Sequence, residues 1–319
     1  MRLLIETIAA WTINLILQGN SNAVKNIVLS ITFFLISAPC AMSQVVNQRI
    51  TDSDGYEQLL GRLTEEALSS PPFSTWYVKR VEQYDPNRQI LNQIRNLDDY
   101  EIEIFFGTWC GDSRREVPKF IKTLHELDFP GNQLSIIGLN RTKDQYKQSP
   151  NGEEVGKKIY RIPTFVFYKD GKEVNRIVEF PVVSLEKDIL TITSGQQYTP
   201  NYLIIAELDS MLENTGYAAV SDEADSIARK LKPLASRSSD LASYGYVQLY
   251  RQNIDEAVAI FEVNRLLYPD DFIVYKSLAD AYYNQGSYNE AKVNYSKALE
   301  LLPDDEDILR MLDEVAVRQ

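Results

Sequence analysis

The chain has 319 residues, a hydrophobic content of 44% and a formal net charge of -12. This length predicts two domains, and this composition is typical of a globular protein rather than a disordered one. The acidic charge argues against nucleic acid and against anionic lipid surfaces as partners, because phosphate groups attract clustered lysine and arginine.

The amino-terminal segment 1–43 has the pattern of an export signal. Residues 27–38 form an apolar run after Lys25, and Ala41-Met42-Ser43 has the small-x-small pattern of a cleavage site. The run is shorter than a membrane span requires. We expect translation to start near Val24, cleavage after the small-residue site, and an exported product that is periplasmic or otherwise extracytoplasmic. The alternative is that residues 1–43 stay attached as a membrane anchor.

Cleavage at that site would remove Cys40 and leave Cys110 as the sole thiol of the mature chain. Disulfides persist outside the cytoplasm, but one thiol cannot form an internal disulfide. One histidine and one cysteine also cannot build a usual zinc site. We therefore expect neither a metal nor a cofactor.

Residues 44–87 are interpreted as an amino-terminal helical extension. Helices are predicted at Tyr56 to Leu68 and, just beyond the extension, at Gln89 to Leu97. Ser70-Pro71-Pro72 forms a break between them. The extension offers no chemistry, and its aromatic side chains are expected to pack in a core.

A strand followed by a helix is predicted around Cys110. Tyr100 to Phe106 alternates apolar and acidic side chains, which is typical of a strand. After it, apolar residues recur with helical spacing, at Phe120, Ile121, Leu124 and Leu127. Cys110 therefore lies where a strand passes into a helix. A helix start presents unpaired amide groups and the positive end of the helix dipole, which stabilise a thiolate.

The elements that follow complete a layered pattern. Leu134 to Leu139 is a buried strand, and Arg161 to Tyr168 with Val174 to Glu179 forms a hairpin around Lys169-Asp170-Gly171. Val183 to Thr193 is the closing helix. The order strand, helix, strand, helix, hairpin, helix is typical of an α/β fold.

Two separated motifs make residues 88–195 resemble the thioredoxin family, and Arg114-Arg115-Glu116 resembles its secreted TlpA-type branch. The first is Trp109-Cys110-Gly111-Asp112-Ser113, with Pro118 after it, and the second is Ile162-Pro163-Thr164-Phe165. The resemblance implies an α/β thioredoxin-like fold, with a central mixed sheet flanked by helices and a cis bond before Pro163. It implies catalytic roles for Cys110, Ser113 and Pro163. It implies substrate contacts for Trp109, Gly111, Asp112, Ile162 and Thr164.

The chain departs from this family at the position of the second cysteine, which is Ser113, and Arg161 stands where many members have glycine. We expect Ser113 to donate a hydrogen bond to the sulfur, Arg114 and Arg115 to favour the thiolate, and Asp112 to disfavour it. A serine cannot attack a mixed disulfide. Resolution must therefore come from a second thiol of the substrate, a small thiol or another protein.

Residues 201–319 predict an all-α domain of helical repeats after a linker. Related residues recur 34 positions apart, at Ala257 and Ala291, Phe261 and Tyr295, Pro269 and Pro303, Leu241 and Tyr275, and Gly245 and Ala279. This period resembles the tetratricopeptide repeat (TPR), in which small residues let paired helices approach. Residues 204–237 are interpreted as an eroded copy and Asp307 to Val317 as a capping helix. The surplus of acidic residues fits either a binding surface for a basic or amide-rich protein segment or a solvated outer face.

Two interpretations of the function remain open. In the first, the chain is an exported monothiol oxidoreductase or isomerase whose Cys110 forms mixed disulfides with protein thiols or small thiols. Its repeats would then bind a protein partner. In the second, both domains are non-catalytic interaction surfaces and the thioredoxin site is degenerate.

Overall fold

The computed structural model of the protein describes residues 46–318. Its strands are β1 Gln48–Thr51, β2 Glu57–Leu63, β3 Glu101–Phe106, β4 Leu134–Gly138, β5 Thr164–Lys169 and β6 Lys172–Val178. The predicted export signal, its cleavage site and Cys40 lie outside the described residues. Within the described part of the chain, no helix combines the length and the apolar character that a membrane span needs.

The strands form one mixed sheet in the order β1-β2-β4-β3-β5-β6. β3 pairs in parallel with β4 and antiparallel with β5, so Ile104 lies between Ile136 and Phe165. β3 is therefore a central, buried strand, and its last residues lead directly into the motif at Cys110. The mixed sheet that the sequence implied is confirmed.

Helices cover one face of this sheet. They are α1 Glu65–Leu68, α2 Ser74–Gln83, α3 Arg88–Leu91, α4 Gly111–Glu126 and α5 Leu185–Thr193. The apolar stripe of α4 is fully buried, and Phe120 stacks on Phe165 of β5 with ring centroids 4.2 Å apart. This packing fixes the start of α4, and with it Cys110, against the end of the central strands.

The other face of the sheet is covered by the loop between β4 and β5. Ile159 and Ile162 of this loop pack on Phe105 and Ile137 of the central strands. Residues 140–161, where the predicted order places a helix, contain only turns and a 3-10 segment at Lys143–Gln145. The turn-forming run Ser149-Pro150-Asn151-Gly152 accounts for this difference.

The predicted helix from Tyr56 to Leu68 is wrong. Glu57–Leu63 is strand β2, and only Glu65–Leu68 is helical. The leucines of β2 have a spacing that fits a helix, but they are buried because the strand lies between β1 and β4. Pairing with distant strands thus overrides the local pattern. The second predicted helix, at Gln89 to Leu97, is likewise reduced to a single turn in α3.

Beyond residue 200 the chain is helical. The helices are α6 Leu203–Asp222, α7 Ala224–Leu231, α8 Ser238–Tyr250, α9 Ile254–Leu267, α10 Phe272–Gln285, α11 Tyr288–Leu301 and α12 Glu306–Arg318. Helix α6 is interrupted at Gly216, where φ is 80°. The expected order of an α/β sheet followed by helical repeats is confirmed. In the capping helix α12, Ile308 and Val315 are buried, whereas Leu309 is 42% exposed.

Small residues allow the repeat helices to approach closely, as the 34-residue period predicted. A methyl group on Gly245 of α8 would lie 2.3 Å from the ring of Phe261 on α9. Ala279 of α10 and Tyr295 of α11 are both fully buried in the next helix pair. The sheet and the repeats together form one compact unit.

Candidate functional site

Cys110 directly precedes helix α4, at the end of the loop that leaves β3. Its backbone is extended, with φ -82° and ψ 129°. Its carbonyl accepts the first helical hydrogen bond, from the Arg114 amide at 3.0 Å. The side chain is partly exposed. The helix start therefore presents the positive end of its dipole at an accessible sulfur.

The second motif approaches the sulfur from the start of β5. The Ile162–Pro163 peptide bond is cis, as the resemblance implied. The thiol of Cys110 donates to the Ile162 carbonyl, with Sγ and O 3.6 Å apart, although the two residues are 52 positions apart in sequence. The Glu179 amide donates to the Pro163 carbonyl at 2.6 Å and ties this turn to the end of β6.

Two residues of the predicted substrate-contact set are buried. Ile162 is 3% and Thr164 is 2% exposed. The Thr164 hydroxyl donates to the Arg161 carbonyl at 2.7 Å. Both side chains therefore pack beneath the surface of the site. The members of that set that reach the surface are Trp109, Gly111 and Asp112.

Ser113 does not bond to the sulfur. Its side chain is fully buried, and its Oγ accepts a hydrogen bond from the Gly107 amide at 3.3 Å. The expected hydrogen bond from Ser113 to Cys110 is thus replaced by one to the backbone. The first helical turn directs this side chain back toward the end of β3, where it holds the loop that carries Cys110.

The charged side chains next to Cys110 are engaged with other groups. Arg115 forms an ion pair with Asp112 at 2.6 Å. Arg114 donates from Nε to the Thr108 carbonyl at 2.5 Å. The ion pair offsets the repulsion that Asp112 was expected to exert on a thiolate.

Aromatic rings lead from the motif onto the repeats. The Trp109 indole donates to the Leu139 carbonyl at 2.9 Å. Its ring centroid lies 5.9 Å from that of Tyr146, which lies 5.8 Å from Tyr250. Tyr250 in turn lies 5.7 Å from Tyr246 on the same helix, α8. We call Trp109, Tyr146, Tyr250 and Tyr246 the aromatic row, and all four side chains are partly exposed.

Arg161 connects the site to the repeats. Its guanidinium forms an ion pair with Glu179 at 2.7 Å and donates to the Ser239 carbonyl of α8 at 3.1 Å. It also lies over the Tyr202 ring, 4.4 Å from the centroid. Arg161, the arginine that departs from the family pattern, therefore connects the sheet to the repeat helices.

Lys147 is a candidate that the sequence analysis missed. It is 4% exposed, and its Nζ donates to the Tyr160 carbonyl and to the Ser243 hydroxyl, each at 2.7 Å. Burial lowers the pKa of Lys147 to about 7, and the positive charge of Arg161 acts in the same direction. A thiolate on Cys110 acts in the opposite direction. The polar loop around Lys147 carries no sequence signal for such a burial.

Cys110 is a free cysteine. Among residues 46–318, no group of three or more histidine, cysteine, aspartate and glutamate side chains is arranged to hold a metal ion. The partly exposed sulfur of Cys110 is a candidate nucleophile of the site.

Comparison with known proteins gives matches to both parts of the chain. The tetratricopeptide-repeat family profile matches residues 272–305, which include helices α10 and α11. A thioredoxin of Malassezia sympodialis is 31% identical over 101 residues, which are 32% of this chain and 85% of that protein. The mitochondrial thioredoxin-2 of Schizosaccharomyces pombe is 28% identical over 104 residues, 30% of this chain and 71% of that protein.

A viral protein is also similar to this chain. The thioredoxin-like protein R548 of Acanthamoeba polyphaga mimivirus is 33% identical over 86 residues, which are 27% of this chain. The matched region spans 57% of the length of that protein. The repeat profile and the three relatives together support a thioredoxin-like part followed by a tetratricopeptide repeat.

Proposed function

This chain belongs to the thioredoxin family, and on that premise we propose that it is an exported thiol–disulfide exchange protein that acts through one nucleophilic cysteine, Cys110. The observation that carries the proposal is the placement of the sulfur. It is partly exposed at the start of α4 and contacts the carbonyl of Ile162, next to the cis bond. The sulfur is accessible to a substrate, and it lies at the positive end of the dipole of α4.

The reaction is an attack of the Cys110 thiolate on a disulfide R–S–S–R′. A bond forms between Cys110 Sγ and one sulfur, the S–S bond breaks, and R′S⁻ leaves with the electron pair. Ser113 has no sulfur with which to release the adduct. A second thiolate from the substrate, a small thiol or another protein must therefore attack the mixed disulfide and restore Cys110. This chemistry exchanges or rearranges disulfides, and the single thiol by itself accomplishes no net oxidation or reduction.

The repeats are proposed to bind the protein that exchanges its thiol. The aromatic row leads away from Cys110 along α8. Next to it, the Tyr246 hydroxyl donates to Asp280 on α10 at 2.6 Å, so aromatic and acidic side chains lie together there. A client segment beside its cysteine would place apolar side chains on the aromatic row. Basic side chains of the client would lie next to acidic side chains such as Asp280.

We propose that the protein is located outside the cytoplasm, as a member of the secreted TlpA-type branch of the family. It rests on the apolar run at residues 27–38 and on the cleavage pattern Ala41-Met42-Ser43. Mass measurement of the chain after expression in a bacterium with a periplasm tests this. A product that begins at Gln44 in the periplasmic fraction supports export with cleavage. A full-length chain in the membrane fraction supports the anchor, and one in the cytoplasm contradicts both.

A non-catalytic scaffold is the second candidate. It is favoured by the burial of Ile162, since a client strand that pairs next to the cis bond would approach this residue. It is also favoured by Arg161, which is bound to helix α8 in the same place. In this candidate function, the partner-binding surfaces work without the sulfur.

Replacement of Cys110 by alanine separates the two functions. Both the parent and the variant carry Cys40→Ser, so that Cys110 is the sole thiol of the parent and the variant is a thiol-free control. Each is incubated with scrambled ribonuclease A, and mixed disulfides are counted by mass after acid quenching. We expect one adduct per chain for the parent and none for Cys110→Ala. No adduct on the parent, at a pH where a small free thiol reacts with the same substrate, would overturn the exchange function.

A further inference from the structure

Lys147 is a buried amine that the reaction described above does not use. Both of its hydrogen bonds are short, and one acceptor, the hydroxyl of Ser243, belongs to repeat helix α8. That hydroxyl in turn donates to the Tyr160 carbonyl at 3.0 Å. The amine, Ser243 and Tyr160 thus form a closed triangle of hydrogen bonds at the junction between sheet and repeats.

This triangle and the sulfur contact the same short segment, Tyr160 to Ile162. Lys147 Nζ contacts the carbonyl of Tyr160, and Cys110 Sγ contacts the carbonyl of Ile162. Two residues of polypeptide span at most about 7 Å, so the amine and the sulfur approach neighbouring points of one short segment. A thiolate on Cys110 favours the ammonium form of Lys147 across this segment.

The other charges that face Lys147 come from each element packed around it. Arg161 and Arg251 are positive and disfavour its ammonium form, whereas Glu179 is negative and favours it. Glu179 is itself paired with Arg161. The remaining negative charge in this setting is a thiolate on Cys110. Tyr146 stays neutral, because burial raises its pKa to about 12.

We infer that Lys147 is a positioning residue for the proposed exchange reaction, and that its ammonium group supports the Cys110 thiolate while Ser243 of the repeats holds it in place. This inference rests on the proposed function of Cys110. It makes the repeat domain part of the reactive site, because loss of the contact to α8 would release the amine. When the thiolate becomes a neutral mixed disulfide, Lys147 loses its negative partner and gives up a proton to solvent.

The rate of alkylation of Cys110 by iodoacetamide, measured against pH, tests this inference. All proteins carry Cys40→Ser, and the variants are Lys147→Met, Ser243→Ala and Lys143→Met. Lys143 is an exposed lysine of the same loop and serves as the matched control. We expect Lys147→Met to move the midpoint of the rate profile up by about one pH unit. The rate would fall about ten-fold near pH 6.5, with little change at pH 10.

Ser243→Ala is expected to shift the profile in the same direction by a smaller amount, and Lys143→Met to leave it in place. A purely structural role of Lys147 would change folding without moving this midpoint. An unchanged profile for Lys147→Met would overturn the inference, while the adduct formed by Cys110 would still support the exchange function. Equal shifts for Lys143→Met and Lys147→Met would overturn it as well.

A second measurement needs no substitution at Lys147. The protonation of this amine can be followed by NMR of ¹³C-labelled lysine, before and after Cys110 is capped with iodoacetamide. Removal of the thiolate is expected to lower the pKa of Lys147, since its negative partner is lost. A titration that is the same before and after capping would contradict the coupling.

Discussion

Replacing Asp209 with alanine tests how the repeats are fixed to the sheet. The Asp209 carboxylate, on α6, is 5% exposed. It accepts hydrogen bonds from the hydroxyls of Tyr160 at 2.7 Å and Tyr244 at 2.6 Å. The ammonium of Lys158 pairs with it at 2.8 Å. Because Tyr160 and Lys158 precede β5 whereas Tyr244 is on α8, one carboxylate connects three parts of the molecule.

The expected loss of stability follows from the two tyrosine hydroxyls. Each loses a hydrogen bond to a charged acceptor, which contributes about 1.5–3 kcal/mol. Removal of the carboxylate also removes the cost of burying it, so Asp209→Ala should lower the free energy of unfolding by about 2–4 kcal/mol. Glu213→Ala is the matched control. Glu213 pairs with the same Lys158 at 2.7 Å but is 58% exposed, and its loss should be below about 1 kcal/mol.

Urea unfolding followed by circular dichroism measures both variants. A third variant, Tyr160→Phe, removes the hydrogen bond between Tyr160 and Asp209 by deleting its donor, the tyrosine hydroxyl. Its effect combined with that of Asp209→Ala should be smaller than the sum of the two, because both changes delete the same bond. Equal losses for Asp209→Ala and Glu213→Ala, or additive losses for the pair, would refute this description of the junction.

Two further predictions concern stability. Gly245→Ala should lower the free energy of unfolding by about 1–3 kcal/mol, because the new methyl group meets the Phe261 ring; no loss in urea unfolding would contradict the close approach of α8 and α9. Lys147 has a lower pKa in the folded state, about 7 against 10.5, so the unfolded chain binds more protons between these values. Stability relative to Lys147→Met should therefore rise with pH from about 7.5 to 9, by on the order of 1 kcal/mol per pH unit. A flat or falling difference would contradict the burial of the amine.

The parts of the site that were predictable from the sequence are those with local signals. The passage from strand to helix at Cys110 follows from apolar spacing on both sides, and the structure has β3 and α4 there. The cis bond before Pro163 followed from the resemblance of its motif. The 34-residue period likewise identified the helix pairs, because each repeat packs mainly against its neighbours.

The parts that failed depend on distant contacts. The leucines of Glu57–Leu63 fit a helix locally, and pairing with β4 makes them a strand. Lys147 is in a polar loop, and its buried amine donates a hydrogen bond to Ser243, which is 96 residues away. In neither case does the local sequence pattern include the distant partner, β4 or Ser243. The expected bond from Ser113 to the sulfur failed for a different reason, because this side chain is buried and turned toward the Gly107 amide, from which its Oγ accepts a hydrogen bond.

The lifetime of a mixed disulfide on Cys110 tests the central claim most directly. The Cys40→Ser chain is treated with oxidised glutathione, the reagent is removed, and the intact mass is followed over time. We predict one glutathione adduct that persists until a thiol is added, and that disappears without added thiol once Ser113→Cys supplies a second sulfur one helical turn away. No adduct on Cys110, or an adduct that is lost spontaneously while Ser113 is still in place, would contradict the claim.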